Sequence, residues 1–200
     1  AQGFGGTSHG KRAGSFGDVS ATSFFPAKPL GCYGDGGAIF TDDDDLADKM
    51  KSIRVHGSGL DKYDNVRIGL NGRLDTMQAA VVLEKLQIFD NELILRNKVA
   101  NRYNEKISNK YVCPYVPEDY TSSWAQYSIL SESLDKRNSI IEYLSSKDIP
   151  SMIYYRIPLH LQKVFKSLNY NKGDFQKSEK ASDSVLSLPM HPYLSKKDQD

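Results

Sequence analysis

A single lysine, Lys28, stands between an apolar run and a loop with four glycines in TSFFPAKPLGCYGDGGAIF, residues 22–40. An unprotonated amine adds to an aldehyde to form an imine, and desolvation lowers a lysine's pKa toward the range where this happens. The setting predicts a lysine packed close to backbone and partly shielded from water. Glycines carry no Cβ, so the surrounding backbone can approach a flat cofactor. Ser23, at the end of the apolar run, could offer its hydroxyl to a phosphate. By themselves these features also describe an ordinary surface lysine flanked by prolines. Arg73, in GLNGR, presents a planar fork that suits a carboxylate. It suits an ion pair with Asp75 or another neighbouring acid equally well. His9, His56 and His191 show no ligand spacing, so no metal is inferred.

The elements that would position these residues follow from local pattern. VSATSFF (19–25) is β-branched and aromatic and predicts a strand that ends at Pro26, and GGAIFT (36–41) predicts a second. In DDDDLADKMKSIRVHG the aspartates suit a helix start, Leu46, Met50 and Ile53 fall at helical spacing, and Gly57 marks a stop. The polar segment 56–73 is long for a connector, and long loops in compact proteins tend to carry function. Asp75 is expected to cap a helix through TMQAAVVLEKLQIFDNELILRNKVANRYNEKI. Met77, Ala80, Val81 and Leu86 are expected on its buried face, with a bend or break near Asp90. Prolines and short polar runs suggest a boundary between 110 and 122. Beyond it the pattern predicts a strand (125–130), a helix (137–148), a strand (151–155), a loop with a proline and a helix over 174–187.

With 26 basic and 25 acidic residues scattered along the chain, nothing asks for nucleic acid or an anionic membrane. Apolar stretches are broken by charges every few residues and do not reach bilayer length. Cys32 and Cys113 fit no metal or redox spacing, which suits a reduced, cytoplasmic setting. The first residues, AQGFGG, and the last, KKDQD, read as the ends of an excerpt from a longer protein.

Six segments occur in one order: TSFFPAKPLGCYGDGGAIFTDD, IRVHG, GLNGRLDTMQAA, SSWAQYSI, YYRIPLHLQ and LSLPMHPYL. The series resembles the sugar aminotransferases of the DegT/DnrJ/StrS family over essentially the whole chain. These are enzymes of pyridoxal 5'-phosphate (PLP) with the aspartate aminotransferase-like fold (fold type I, α/β). The resemblance implies that residues 1–110 are the C-terminal part of the PLP-binding large domain, whose sheet is mostly parallel. Residues 111–200 would form a small, truncated α+β C-terminal domain.

It also implies site roles. Lys28 matches the family lysine that carries PLP on its ε-amine, and Ser23 the serine that binds the cofactor phosphate. Gln2 matches a glutamine lying against the pyridine ring. The aspartate that pairs with the pyridine nitrogen would fall just before Ala1. Asn71 matches an asparagine reaching the PLP phosphate of the neighbouring subunit, so a homodimer is implied. Tyr155 and His160 match positions near the nucleotide-sugar pocket, a packed loop being the other reading of both. Arg156 stands where many relatives carry proline, which bears on loop shape and substrate preference.

The function implied is transamination of a nucleotide-linked keto sugar, with glutamate as donor, in surface-polysaccharide or amino-sugar biosynthesis. The wording of GRLDTMQAA and PLHLQ points toward UDP-linked 3-keto-acetamido sugars or uronates. The 200 residues alone are expected to bind PLP weakly and to be inactive. A catalytically incompetent fragment or dimerisation module is the alternative from another class. A sugar dehydratase is a third, and Lys28 argues against it because histidine replaces the lysine there.

Overall fold

Local hydrogen-bonding chemistry sets most element ends. The computed structural model describes residues 1–61 and 63–200, so Lys62 of the 56–73 loop lies outside the described residues. The chain divides into two compact units. The first comprises residues 1–94 and 116–125, the second 95–115 and 126–200. This division falls inside a helix and returns a short segment to the first unit, whereas the sequence suggested one boundary near 110.

In the first unit, β1 (Thr7–Ser8) and β2 (Lys11–Arg12) form a tight antiparallel pair. The next strands, β3 (Ser20–Ser23) and β4 (Gly37–Phe40), pair antiparallel from Ser20 opposite Phe40 to Ser23 opposite Gly37. Both lie within the ranges expected from their β-branched and apolar residues. Helix α1 (Asp44–Arg54) starts where Asp43 accepts a hydrogen bond from the Leu46 amide at 2.9 Å, and Asp44 and Asp45 occupy its first turn. The aspartate run is therefore helix-end chemistry: a cap followed by charges that complement the dipole.

After α1 the chain turns at Gly57, with φ of +76°, where a Cβ would meet the Arg67 carbonyl oxygen at 1.8 Å. No side chain fits there. The 56–73 loop is tied back to α1, since Leu70 and Gly72 amides donate to the Ile53 and Arg54 carbonyls, each at 2.8 Å.

Asp75 accepts from the Met77 amide at 2.8 Å at the start of α2 (Thr76–Ile107). This helix runs through Asp90 without interruption, and its buried face differs from the one expected. Met77 is 73% exposed and Leu86 49%, while Val82 and Phe89 are buried. Both sides of the helix are apolar, so periodicity alone could not choose the inner one. Phe24, Leu30, Cys32, Val82 and Phe89 form the core of this unit, with Phe4, Ala38, Leu74, Val81 and Leu93 packed around them. Strand β5 (Tyr120–Thr121) pairs with β1, and the hydroxyls of Thr7 and Thr121 meet at 2.8 Å.

In the second unit, β6 (Tyr127–Leu130) is followed by α3 (Leu134–Ser145), which starts earlier than expected because Ser133 accepts from the Lys136 amide. The strand expected at 151–155 is a single bridge between Met152 and Ser187, and short 3-10 turns follow at Leu159–Leu161 and Lys163–Leu168. The final helix was expected to run to 187. Instead α4 (Gln176–Ser184) stops and β7 (Val185–Leu188) pairs antiparallel with β6. Val185, Leu186 and Ser187 are buried there, and cross-strand packing overrides helix continuation. A short α5 (Lys196–Gln199) ends the chain.

Tyr103 donates to the Pro189 carbonyl at 2.9 Å and Tyr127 to Asn104. Burial pushes Tyr103 up to about 12 and Tyr127 further up, so both stay as donors. Every strand pair among the described residues is antiparallel, so the parallel pairing expected of the large-domain sheet is not represented among them. None of the described helices is long and apolar enough to cross a membrane.

Candidate active site

Lys28 sits in the first turn after β3, and the turn links it to Ser23 through one residue. The Phe25 amide donates to Ser23 Oγ at 3.1 Å, and the Phe25 carbonyl accepts from the Lys28 amide at 2.8 Å. Ser23 Oγ is thus an acceptor within the chain and keeps its own O–H to donate outward. Lys28 is half-buried, in keeping with the partial shielding expected from the sequence. Among the described residues, no side-chain hydrogen bond or ion pair engages its Nζ.

The glycines of this loop also let the chain approach itself. A Cβ on Gly31 would meet the Pro26 and Phe25 carbonyl oxygens at 2.7 and 2.8 Å, so glycine lets the loop fold back against its own turn. The Cys32 amide donates to the Phe24 carbonyl at 2.7 Å, and its buried thiol donates to the Phe24 and Gly34 carbonyls. Close approach of the chain to itself requires glycine at position 31.

The other candidates of the first unit lie on nearby segments of it. The Gln2 carbonyl accepts from Ser123 Oγ at 2.6 Å, which anchors the exposed Gln2. Asn71 and Arg73 are both exposed, and Arg73 Nε donates to Asn71 Oδ1 at 3.2 Å. Asp75 is engaged at the α2 start, and no ion pair between it and Arg73 occurs among the described residues. Leu74, next to Arg73, packs on the same core as Phe24, next to Ser23. An apolar groove of about 750 Å³ lined by Thr22, Ile39, Met50, Ile53 and Leu70 lies in this unit, and Lys28 is not among its walls.

Tyr155 and His160 belong to the second unit. Tyr155 is 64% exposed, its ring edge-on to Tyr154. His160 is packed: its side chain is 7% exposed, Nε2 lies 2.9 Å from Glu179 Oε1, and its ring contacts Phe175. The Gly173 amide, then the His160 ring and the Phe175 amide, hold the Glu179 carboxyl below its ordinary value of 4.5. A folded-state pKa lowered in this way contributes stability above the unfolded value and loses it as pH falls through the folded one. Replacing Glu179 with glutamine is therefore expected to flatten the acid limb of a stability–pH profile measured by denaturant unfolding.

Glu179 was not singled out from the sequence, because a glutamate on a polar helix carries no local mark of a partner nineteen residues away. Gln78 and Lys85 were missed for the same reason. Gln78 Oε1 accepts from the Tyr33 amide at 2.8 Å, and Lys85 Nζ donates to the Gly31 carbonyl at 2.6 Å.

PLP needs an amine that can bond to its aldehyde and donors for its phosphate, and the turn supplies both. Lys28 Nζ is uncommitted, and Ser23 Oγ has its proton to give. The residues fit the group.

The same backbone recurs in solved structures. A DegT DnrJ EryC1 StrS aminotransferase from Brucella abortus superposes with a TM-score of 0.93 and 52% identity, over 100% of this chain and 53% of that one. NtdA from Bacillus subtilis, solved with its cofactor PMP bound, superposes with a TM-score of 0.79 and 30% identity, over 94% of this chain and 44% of its own. The fold is α/β, of the PLP-dependent aspartate aminotransferase-like type. Residues 1–200 match the DegT/DnrJ/EryC1/StrS aminotransferase family, and the chain belongs to it.

Among curated proteins, the UDP-2-acetamido-2-deoxy-3-oxo-D-glucuronate aminotransferase of Pseudomonas aeruginosa is 43% identical, over 97% of this chain and 52% of that protein. The chain spans about half the length of the curated relatives it matches.

Proposed function

We propose that this chain is the lysine-bearing part of a cytoplasmic, homodimeric enzyme that transaminates a nucleotide-linked keto sugar. On this reading the substrate is a UDP-linked 3-keto-acetamido sugar or uronate. Glutamate is the donor, and the product enters surface-polysaccharide or amino-sugar biosynthesis. Residues 1–110 would belong to the large domain and 111–200 to the small one. The similarity to the Pseudomonas protein supports the sugar class. Exposed apolar side chains on α2, including Met77, Leu83 and Ile94, support a partner surface.

The observation that carries the reading is the Lys28 turn. Its amine is uncommitted among the described residues, and its backbone is joined through Phe25 to the Ser23 hydroxyl. PLP, when bound, supplies the electron sink for the donor's α-carbon. Lys28 would hold the cofactor. Once displaced by the donor, it would take the proton from that carbon and later supply one to the sugar carbon that gains the amine, acting as nucleophile and general acid/base in turn. Ser23 donates to the phosphate and Gln2 lies against the ring. Asn71 reaches the partner's phosphate, and Arg73 receives a carboxylate of donor or sugar. Tyr155 and His160 shape the sugar side. The nitrogen leaves the amino acid, which departs as a keto acid, and ends on the former carbonyl carbon of the sugar.

The test is an assay of the full-length protein with glutamate and a panel of UDP- and dTDP-linked keto sugars, following amino-sugar formation by mass. A gain of amine on a UDP-linked 3-keto sugar is expected. Turnover confined to dTDP sugars would overturn the substrate assignment. Absence of any amino sugar over the whole panel would overturn the activity.

A further inference from the structure

The Lys28 turn does not stand by itself. Inside the loop, Phe24 exchanges backbone bonds with Gly36 and Cys32, and Gly31 backs onto the carbonyls of Phe25 and Pro26. This makes residues 24–36 one closed unit. Two side chains of α2 hold that unit from outside. Gln78 Oε1 accepts from the Tyr33 amide at 2.8 Å, and its carboxamide lies in van der Waals reach, 3.4 Å, of where a Cβ on Gly34 would sit. Lys85 Nζ donates to the Gly31 carbonyl at 2.6 Å and lies 5.0 Å from the centre of the Tyr33 ring.

Gln78 and Lys85 are seven residues apart, about two turns or roughly 10 Å along the helix, so they grip the loop at two separated points. Both are half-buried, which strengthens a charged or amide hydrogen bond relative to open water. The Gln78 backbone also belongs to the helix start, with its amide 3.4 Å from Asp75 Oδ1. One residue therefore joins the Lys28 loop to the segment that carries Asn71 and Arg73.

We propose that Gln78 and Lys85 are positioning residues for Lys28, a two-point clamp from α2 that fixes the lysine turn relative to the Asn71–Asp75 segment. The inference rests on the reading of Lys28 given above. Reaction geometry tolerates displacements of only about 0.5 Å, and only Pro29 and Leu30 separate Lys28 from the Gly31 carbonyl that Lys85 holds. A loop free of the clamp would still carry the lysine, with its amine spread over more positions.

The experiment uses the full-length protein with Gln78→Leu, Gln78→Glu, Lys85→Met and Lys85→Arg. Two readouts are followed: hydrogen exchange of the Tyr33 amide without cofactor, and pH titration of the visible absorption band with PLP loaded. Gln78→Leu should speed Tyr33 exchange on the order of tenfold, the scale of one lost hydrogen bond. Gln78→Leu and Lys85→Met should each move the midpoint of the band by roughly half a pH unit, well within the range that local contacts produce. Gln78→Glu keeps an acceptor at the same reach and Lys85→Arg keeps a cationic donor, so both should restore most of the wild-type behaviour.

Amides of β6 and β7 report folding, and where Gln78→Leu fails to fold, Lys85→Met and its arginine counterpart decide. Unchanged exchange and an unchanged band in the leucine and methionine variants would overturn the clamp. Faster exchange with an unmoved band would overturn the positioning role. Should the wild-type protein form no band at all, the reading of Lys28 fails, and with it the positioning role, while the exchange arm still tests the contact.

Discussion

Replacing Lys28 with alanine is expected to lower transamination by about four orders of magnitude or more, since one group supplies both covalent attachment and proton transfer. The fold should survive. The Lys28 side chain has no hydrogen-bond or ion-pair partner among the described residues, and the bond that closes its turn is made by the backbone amide, which alanine retains. A change in stability within about 0.5 kcal/mol is the expectation for such a site. Lys28→Arg sharpens the result, because a guanidinium keeps length and charge but does not deprotonate in proteins. It should be as inactive as alanine. Borohydride reduction of the PLP-loaded wild type, followed by peptide mass mapping, should place the label on Lys28 and find none in either variant. Substantial activity in the arginine variant would refute the chemistry assigned to this nitrogen.

Replacing Phe89 with alanine is expected to destabilise the first unit by about 3–5 kcal/mol, the range for a fully buried aromatic whose cavity does not collapse. Phe89 is 2% exposed, its ring stacks on Phe4 at 5.8 Å, and its edge fills the space beside Gly5, where a Cβ would come within 2.8 Å. Natural domains have only about 5–15 kcal/mol in total, so this one change removes a large share. Met77→Ala, on the exposed side of the same helix, should cost about 0.5 kcal/mol or less. Denaturant unfolding of both variants checks the pair, and equal losses would contradict the orientation of α2.

Strands β3 and β4, α1 with its aspartates at the start and the beginning of α2 at Asp75 were all legible, because each depends on residues within a few positions of one another. The antiparallel pairing of β3 with β4 was not. That Lys28 and Ser23 share one turn was legible for a similar reason: they sit five residues apart in a segment whose apolar run and glycines confine the backbone. The ordered motifs carried the family resemblance, and the match over residues 1–200 bears it out.

Other features depended on partners distant along the chain. VLSL reads as the end of a helix until β6 lies beside it, and the barrier to helix continuation is that pairing rather than anything in its four residues. The buried side of α2 was settled by which face meets Phe4, Phe24 and Leu30. His160 was open to a pocket or a packed role from the sequence, and its contact with a carboxylate nineteen positions away was not legible there.

The amino acid sequence by itself determined the caps, the turns and the strand and helix starts, since these are written in short-range hydrogen bonding and sterics. The tertiary structure alone decided which apolar face is inside, which polar side chains become tethers, and how the lysine turn is held. Burial and long-range hydrogen bonds depend on residues far apart in the chain arriving at one place, and no local pattern records that meeting.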